Sequence, residues 1–427
     1  MDWSSNNGGA LGRLQGVTLY IGAVLGSGVL MVPALAAEAA GPASLIAWVL
    51  MALLTLPLAL TMANLAARFP GGGGVSGFAT IAFGQRAGKV TGWLFLLSVP
   101  VAAPVASLMA AGYAVGAFGL PPGARVPVAM GIVIVAITAN YLGMRTAGWV
   151  QVAVVSGIIL ILAAAVLIAV PQVAAQNFAP FAPYGALGVG KAAALLFWCF
   201  VGWEAVTHLS GEFADPRRDL VPAVLWAAVF VTLLYTATAA AVVGTGSYGP
   251  EGRSDASLVL VLRAGLGPAA GWLTGAVALF CVLATANAYI GAAAHLARTL
   301  AQSGGAPAVL ERSHPRLGTP LAGLGFVAVG CAITFMLVAG GVTDIRGLIL
   351  APTANFVAVY VMGSAAGVRL AQTGWEKALA AAALLTSLAV VPFLGWSALY
   401  PAAVGMAGMA SGRLAKGAAR VSGSPAD

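Results

Sequence analysis

Leu25-Gly26-Ser27-Gly28-Val29, in the middle of the first long apolar run from about Leu14 to Glu38, decides the fold. Each glycine costs a helix roughly 1 kcal/mol relative to alanine, so two of them around a serine predict a break at bilayer depth. Backbone released there is tolerated only where protein buries it or where it lines a cavity, because its N–H and C=O groups need partners. The break therefore points to a bound ligand. Close helix packing through the pair Gly22 and Gly26 is the competing reading.

Outward from that stretch, the 427 residues are 60% hydrophobic and 7% charged, which excludes an ordinary soluble protein. The fold class expected is an all-α polytopic membrane protein with about twelve spans. Met1 to Ala10 is polar, and the first apolar run is too long for a signal peptide, so the first span is retained. Cys199, Cys281 and Cys331 lie apart within apolar runs and read as core residues, with no metal or disulfide spacing. The net charge of +8 reads as orientation and gives no nucleic-acid partner. Arg125, Lys191, Arg253, Arg263 and Arg346 fall on one side and the remaining basic residues on the other, which predicts both termini in the cytoplasm of a multi-pass inner-membrane protein.

The second and third spans are expected at about Ala43 to Ala67 and Arg86 to Phe118, joined through the tract Gly71 to Gly74, which reads as a flexible turn. Pro100 and Pro104 should kink the third span. The fourth and fifth follow at about Val126 to Leu142 and Ala147 to Val170, the fifth reading as plain membrane filling. The sixth, about Gly190 to Phe213, carries Gly202 and Glu204 at its centre, and a carboxyl there is functional by default. The seventh runs from about Leu220 to Val243 and the long eighth from about Ala269 to Ala301; spans at about Leu321 to Val338, Ile345 to Gly367, Trp375 to Val391 and Leu394 to Ser411 complete the set.

A glycine break followed two spans later by a long helix occurs twice, five spans apart. An odd repeat length makes the second copy inverted, and interrupted segments at matching positions point to a midplane substrate site. The expected units are residues 1–13 (N-terminus), 14–172 (first repeat), 173–367 (second repeat), 368–412 (last two spans) and 413–427 (tail). Expected pathway residues are Pro100 and Pro104 in the third span, Phe280 and Asn287 in the eighth and Asn355 in the tenth. The asparagines read equally as bonds between helices. His208, His295 and His314 read as interfacial or solvated.

The segments LGSGVLMVPALAA, FWCFVGWEA with GEFADPRRDLVPA, and HLARTLAQSGGAPAVLERSHPRLGTPLAG resemble the amino acid-polyamine-organocation transporter superfamily, and they occur in its order. RFPGGGGVSGFATIAFGQRAGKVTGWLFLLSVP is similar to the bacterial methionine and branched-chain amino acid exporters. The resemblance covers most of residues 12 to 366. It implies broken first and sixth helices and alternating access, with the substrate carboxylate on the N–H groups of Gly26, Ser27 and Gly28. The ammonium would meet carbonyls of Phe200, Val201 and Gly202, an end that a half-helix dipole favours. Trp198 or Trp203 stands for the family's aromatic gate, with Trp198 preferred. Glu204 matches the family's sixth-helix glutamate, as a proton carrier or as a structural carboxyl. The fifth span has no lysine of the kind found in some proton-coupled relatives, and Thr285 is the one hydroxyl offered for a sodium site. The function expected is secondary export of neutral amino acids, methionine and the branched-chain ones, with protons as a candidate coupling ion. No enzyme activity, cofactor or metal is expected. An amine or polyamine exchanger and a non-transporting amino acid receptor are the alternatives.

Overall fold

The first helix stops where its glycines stop it. In the computed structural model, which describes residues 10–26, 28–71, 73–249, 257–342 and 345–406, α1 (Arg13–Val24) ends at Leu25, whose ψ of 68° leaves the helical region. Chain direction resumes in α2 (Gly28–Ala40), and Ser27 lies outside the described residues. The second break is longer. Helix α8 (Gly185–Leu196) tightens into a 3-10 turn at Phe197–Phe200, opens at Val201 and Gly202, and continues as a 3-10 segment, Ala205–Glu212.

Between and after them come α3 (Ser44–Arg68), α4 (Val75–Phe83), α5 (Gln85–Phe118), α6 (Arg125–Tyr141), α7 (Met144–Ala169), α9 (Pro216–Gly244) and the short α10 (Ser257–Leu266). Then follow α11 (Ala269–Gln302), α12 (Leu321–Ala339), α13 (Ile345–Leu370) and α14 (Gly374–Val390). Seven helical stretches among the described residues are long and apolar enough to cross a membrane unaided. The twelfth expected span begins as a 3-10 segment, Val391–Leu399, and runs past residue 406, out of the described range.

Two packed groups organise these helices. Helices α5 and α11, 34 residues each, lie along one another and gather α6, α7 and α12. The broken helices α1, α2 and α8 pack with α3 and α9, and α1 also packs against α7 and α11. Helix α13 leans on α5, and α14 leans on α13 and α3. α5 runs through Pro100 and Pro104, and the carbonyl that Pro104 frees at Pro100 accepts the Thr334 hydroxyl at 3.0 Å.

Two expectations about connecting segments are overturned. Gly71, Gly73 and Gly74 form a fixed turn, each at positive φ (71°, 81° and 59°), pressed against the Ala205–Glu212 segment. Gly71 N donates to Ser210 Oγ at 3.3 Å, and Gly73 O lies 2.9 Å from His208 Nδ1. A side chain at Gly74 would collide with His208 and Thr207, so the tract is glycine for fit and not for flexibility. The fifth span is also more than filling. Gln151 is fully buried; its Nε2 donates to Thr18 O at 3.2 Å and its Oε1 accepts from Asn287 Nδ2 at 2.8 Å. Asn140 Nδ2 closes the chain on Asn287 Oδ1 at 3.0 Å, so three amides tie α1, α6, α7 and α11 together.

Asn287→Ala removes the centre of that amide chain. At up to about 1–2 kcal/mol per interhelical hydrogen bond, the variant should unfold several degrees lower than wild type in detergent, with Gln151→Leu showing an overlapping, non-additive loss.

Candidate substrate site at two touching helix breaks

Gly202 brings the breaks into contact. Its φ of 137° is open only to glycine, and a Cβ there would sit 2.6 Å from the Ala23 carbonyl oxygen and 3.0 Å from Val24 N. The glycines of the first break divide their work. Gly28 is tight, because a Cβ would come within 2.6 Å of Cys199 Sγ, whereas Gly26 is open and faces a cavity. Gly22 and Gly28 are thus closely packed, Gly22 against the Gln151 amide and Ala284, while Gly26 has open space beside it.

The released backbone groups find three tyrosines. Tyr235 of α9 places its hydroxyl 3.0 Å from Val24 O and 3.1 Å from Cys199 O, one carbonyl from each broken helix. Gly202 N donates to Tyr360 Oη of α13 at 2.7 Å, and the Tyr360 hydroxyl in turn donates to Glu204 Oε2. Tyr289 of α11 donates to Glu204 Oε1 at 2.7 Å. Glu204 is thus fully buried with a hydroxyl on each oxygen.

Beside these breaks lies a cavity of about 100 Å³. Its floor is backbone and small side chains of Ala23, Val24, Gly26 and Val201; Val99, Ala102, Ala103 and Ala106 form one face of α5; Val282, Thr285, Ala286 and Tyr289 come from α11, and Phe356 from α13. Thr285 and Tyr289 are the polar side chains in this lining, and no charged residue is among it. Thr285 Oγ1 donates to Gly22 O at 2.9 Å as well as to Cys281 O at 3.0 Å, so it joins α11 to α1. Among the described residues no group of acids, histidines or cysteines is placed to hold a metal ion.

The model of the family described as "Amino acid permease" matches residues 11–397, which takes in both breaks and the cavity. The chain belongs to the amino acid permease family. It is 32% identical over 400 residues to the amino acid permease YecA of Bacillus subtilis, covering 92% of this chain and 93% of that protein. It is 31% identical over 393 residues to the L-methionine/branched-chain amino acid exporter YjeH of Escherichia coli, with 91% and 93% covered. The branched-chain amino acid permease BcaP of Bacillus subtilis is 27% identical over 350 residues, with 77% and 74% covered. The protein is therefore a multi-pass membrane transporter of amino acids and not an enzyme.

Within this permease several expected site residues fall elsewhere. Pro100 is buried against Gly330 of α12, where a Cβ would meet the ring at 2.6 Å, and neither it nor Pro104 is among the cavity residues; the turn of α5 between and beside them supplies the wall instead. Phe280 is 36% exposed and lies against Gly157, so the α11 wall is the opposite face, at Val282 to Tyr289. Phe200 packs under the floor, with ring centroids 6.0 Å from Trp48 and 5.5 Å from Tyr235. Asn287 serves the amide chain between helices, and Asn355 is buried beside the site with Oδ1 unpartnered. Trp203 is buried against Tyr20, centroids 6.1 Å apart, so it does not face lipid. Trp198 sits in the 3-10 turn, and its side chain lies outside what is described.

His208 is buried, not solvated, with its ring 4.2 Å from that of Phe95. His295 pairs with Glu212 at 3.2 Å. Gly26 N, expected as a carboxylate donor, already donates to Val24 O at 2.8 Å, so a ligand's carboxylate would take the N–H groups that open α2. Sequence reasoning missed Tyr235, Tyr289 and Tyr360. The available signal was three polar-tipped aromatics at mid-depth in apolar helices that pass two broken ones.

Tyr235→Phe removes the hydroxyl donor from Cys199 O, while Val24 O keeps Gly26 N–H. An unsatisfied buried carbonyl costs about 1–3 kcal/mol, so this variant should lose that much stability in chemical or thermal unfolding, more than Tyr400→Phe measured alongside.

Proposed function

We propose that this amino acid permease carries neutral amino acids with apolar side chains, methionine, leucine, isoleucine and valine foremost, out of the cell by alternating access, with both termini in the cytoplasm. The observation that supports it is the cavity itself: it adjoins two helix breaks, is lined by alanine, valine and phenylalanine, and has no charged side chain in its lining. A zwitterion needs donors for its carboxylate and carbonyls for its ammonium, and two half-helices supply both without a counter-ion. In this reading the carboxylate lies beside the open Gly26 and takes the N–H groups of Ser27 and Gly28, the ammonium binds at carbonyls of Phe200, Val201 and Gly202, and Trp198 closes over them. The apolar side chain lies against Val99, Ala102, Ala103 and Phe356.

The two packed groups of helices favour a rocking motion, with α1, α2 and the sixth-span segments moving against the α5–α11 pair. Glu204 is the candidate carrier of a coupled proton, being a carboxyl buried beside the ammonium end. The names of YjeH and BcaP support the methionine and branched-chain class, and that of YjeH supports export.

Uptake of labelled leucine and methionine into proteoliposomes, under separate proton, sodium and voltage gradients, tests this reading. Saturable counterflow of both is expected, with competition by valine and isoleucine and none by a diamine. Competition by polyamines alone would reject the neutral substrate class. Ala102→Phe should fill the side-chain end of the cavity and weaken leucine at least about tenfold, or about 1.4 kcal/mol, while glycine and alanine lose less.

A further inference from the structure

Each carboxyl oxygen of Glu204 meets one tyrosine hydroxyl, and a hydroxyl has a single hydrogen to give. That count limits where a proton on Glu204 can sit. With Glu204 ionised, Tyr360 and Tyr289 both donate to it, and Tyr360 Oη also accepts Gly202 N–H at 2.7 Å. A proton on Oε2 would point at Tyr360, which would then receive two donors while its own hydrogen lost Glu204, the acceptor it has in the structure. A proton on Oε1 points at Tyr289, and the Tyr289 hydrogen then turns away from Glu204. Tyr289 is a cavity residue, so it turns toward the cavity.

We propose that Tyr289 is a positioning residue that converts the proton state of Glu204 into hydrogen-bond polarity at the cavity wall. When Glu204 is ionised, Tyr289 Oη presents lone pairs to the ligand; when Glu204 is protonated, it presents an O–H. Only O–H bonds change, and the proton comes from water. This rests on the amino acid reading above, in which the ammonium lies at the sixth-span break next to Tyr289. An acceptor there holds an ammonium and a donor repels it, so uptake of the proton weakens substrate binding.

Other titratable groups around Glu204 do not offer this coupling. Tyr360 of α13 is occupied by Gly202 N–H, and Tyr20 of α1 stacks on Trp203. Tyr235 of α9 donates to the Val24 and Cys199 carbonyls, and the Cys199 sulfur lies against Gly28. His208, four residues on, is held through Nδ1 at Gly73 O, with Phe95 of α5 against its ring. Glu212 and His295 pair with each other, and Arg68 of α3 pairs with Glu376.

Affinity of the purified full chain for L-leucine, measured by calorimetry from acid to alkaline pH, decides the matter. Wild type should bind roughly tenfold more weakly at the acid end, about the net worth of one charge-assisted hydrogen bond. Glu204→Gln, whose amide N–H₂ faces Tyr289 as the protonated acid would, should bind at the weak level at every pH. Tyr289→Phe should bind at an affinity that no longer follows pH, and the double variant should match it.

A Tyr289→Phe profile with the wild-type slope overturns the proposal, as does a flat wild-type profile. Leucine binding with a flat profile leaves the substrate class standing, whereas no binding of any neutral amino acid to wild type overturns both. If Tyr289→Phe does not fold, infrared difference spectra of wild type with labelled tyrosine decide instead. A tyrosine C–O band that shifts together with the carboxyl C=O band supports the coupling, and a carboxyl band changing alone overturns it.

Discussion

At bilayer depth a helix can stop only if something accepts what it releases, and here two helices stop against each other. Gly202 lies on the backbone of Ala23 and Val24, so the groups freed in α1 and in the sixth span emerge in one place. One hydroxyl, that of Tyr235, serves a carbonyl from each. Everything else at the site depends on that shared satisfaction: without it the breaks would be unpaired polar backbone in hydrocarbon, at a cost of several kcal/mol per group.

The cavity follows from the same constraint. Backbone that must approach backbone needs glycine and alanine around it, and the small residues at Gly26, Ala23, Ala102, Ala103 and Ala106 leave room that leucine would have filled. The lining combines exposed main chain with apolar walls, as the proposed neutral amino acid substrate would require. Behind it Glu204 and Tyr360 are fully buried, while Tyr289, bonded to Glu204, is part of the lining.

Rigid and moving parts are distinguished by their polar chemistry as well. The amide chain Asn140–Asn287–Gln151 binds α6, α11 and α7 into one block, and it reaches α1 through Thr18 O. At the end of the broken segments lie the Leu11 and Phe213 backbone bridge, the Glu212–His295 pair and the glycine turn pressed on His208. The Glu212–His295 pair is half-buried, whereas Leu11, Phe213 and His208 are buried.

The sequence by itself determined the class of molecule, the two breaks and the long third and eighth spans. Those are local properties: apolar length, glycine at the centre of a span and a lone carboxyl in an apolar run. It could not say which face of a helix meets the ligand, because periodicity is weak where a helix is apolar all round. So Pro100 and Phe280 looked like cavity walls, while the lining residues are their neighbours Val99, Ala102, Ala103 and Ala106 on α5 and Val282, Thr285, Ala286 and Tyr289 on α11. His208 and Gln151 looked peripheral because nothing in the chain reveals that a glycine turn or a neighbouring asparagine will reach them. Only tertiary structure decided that three tyrosines from separate helices would converge on the breaks, since hydrogen bonds between residues some 36 to 211 positions apart leave no mark on local sequence.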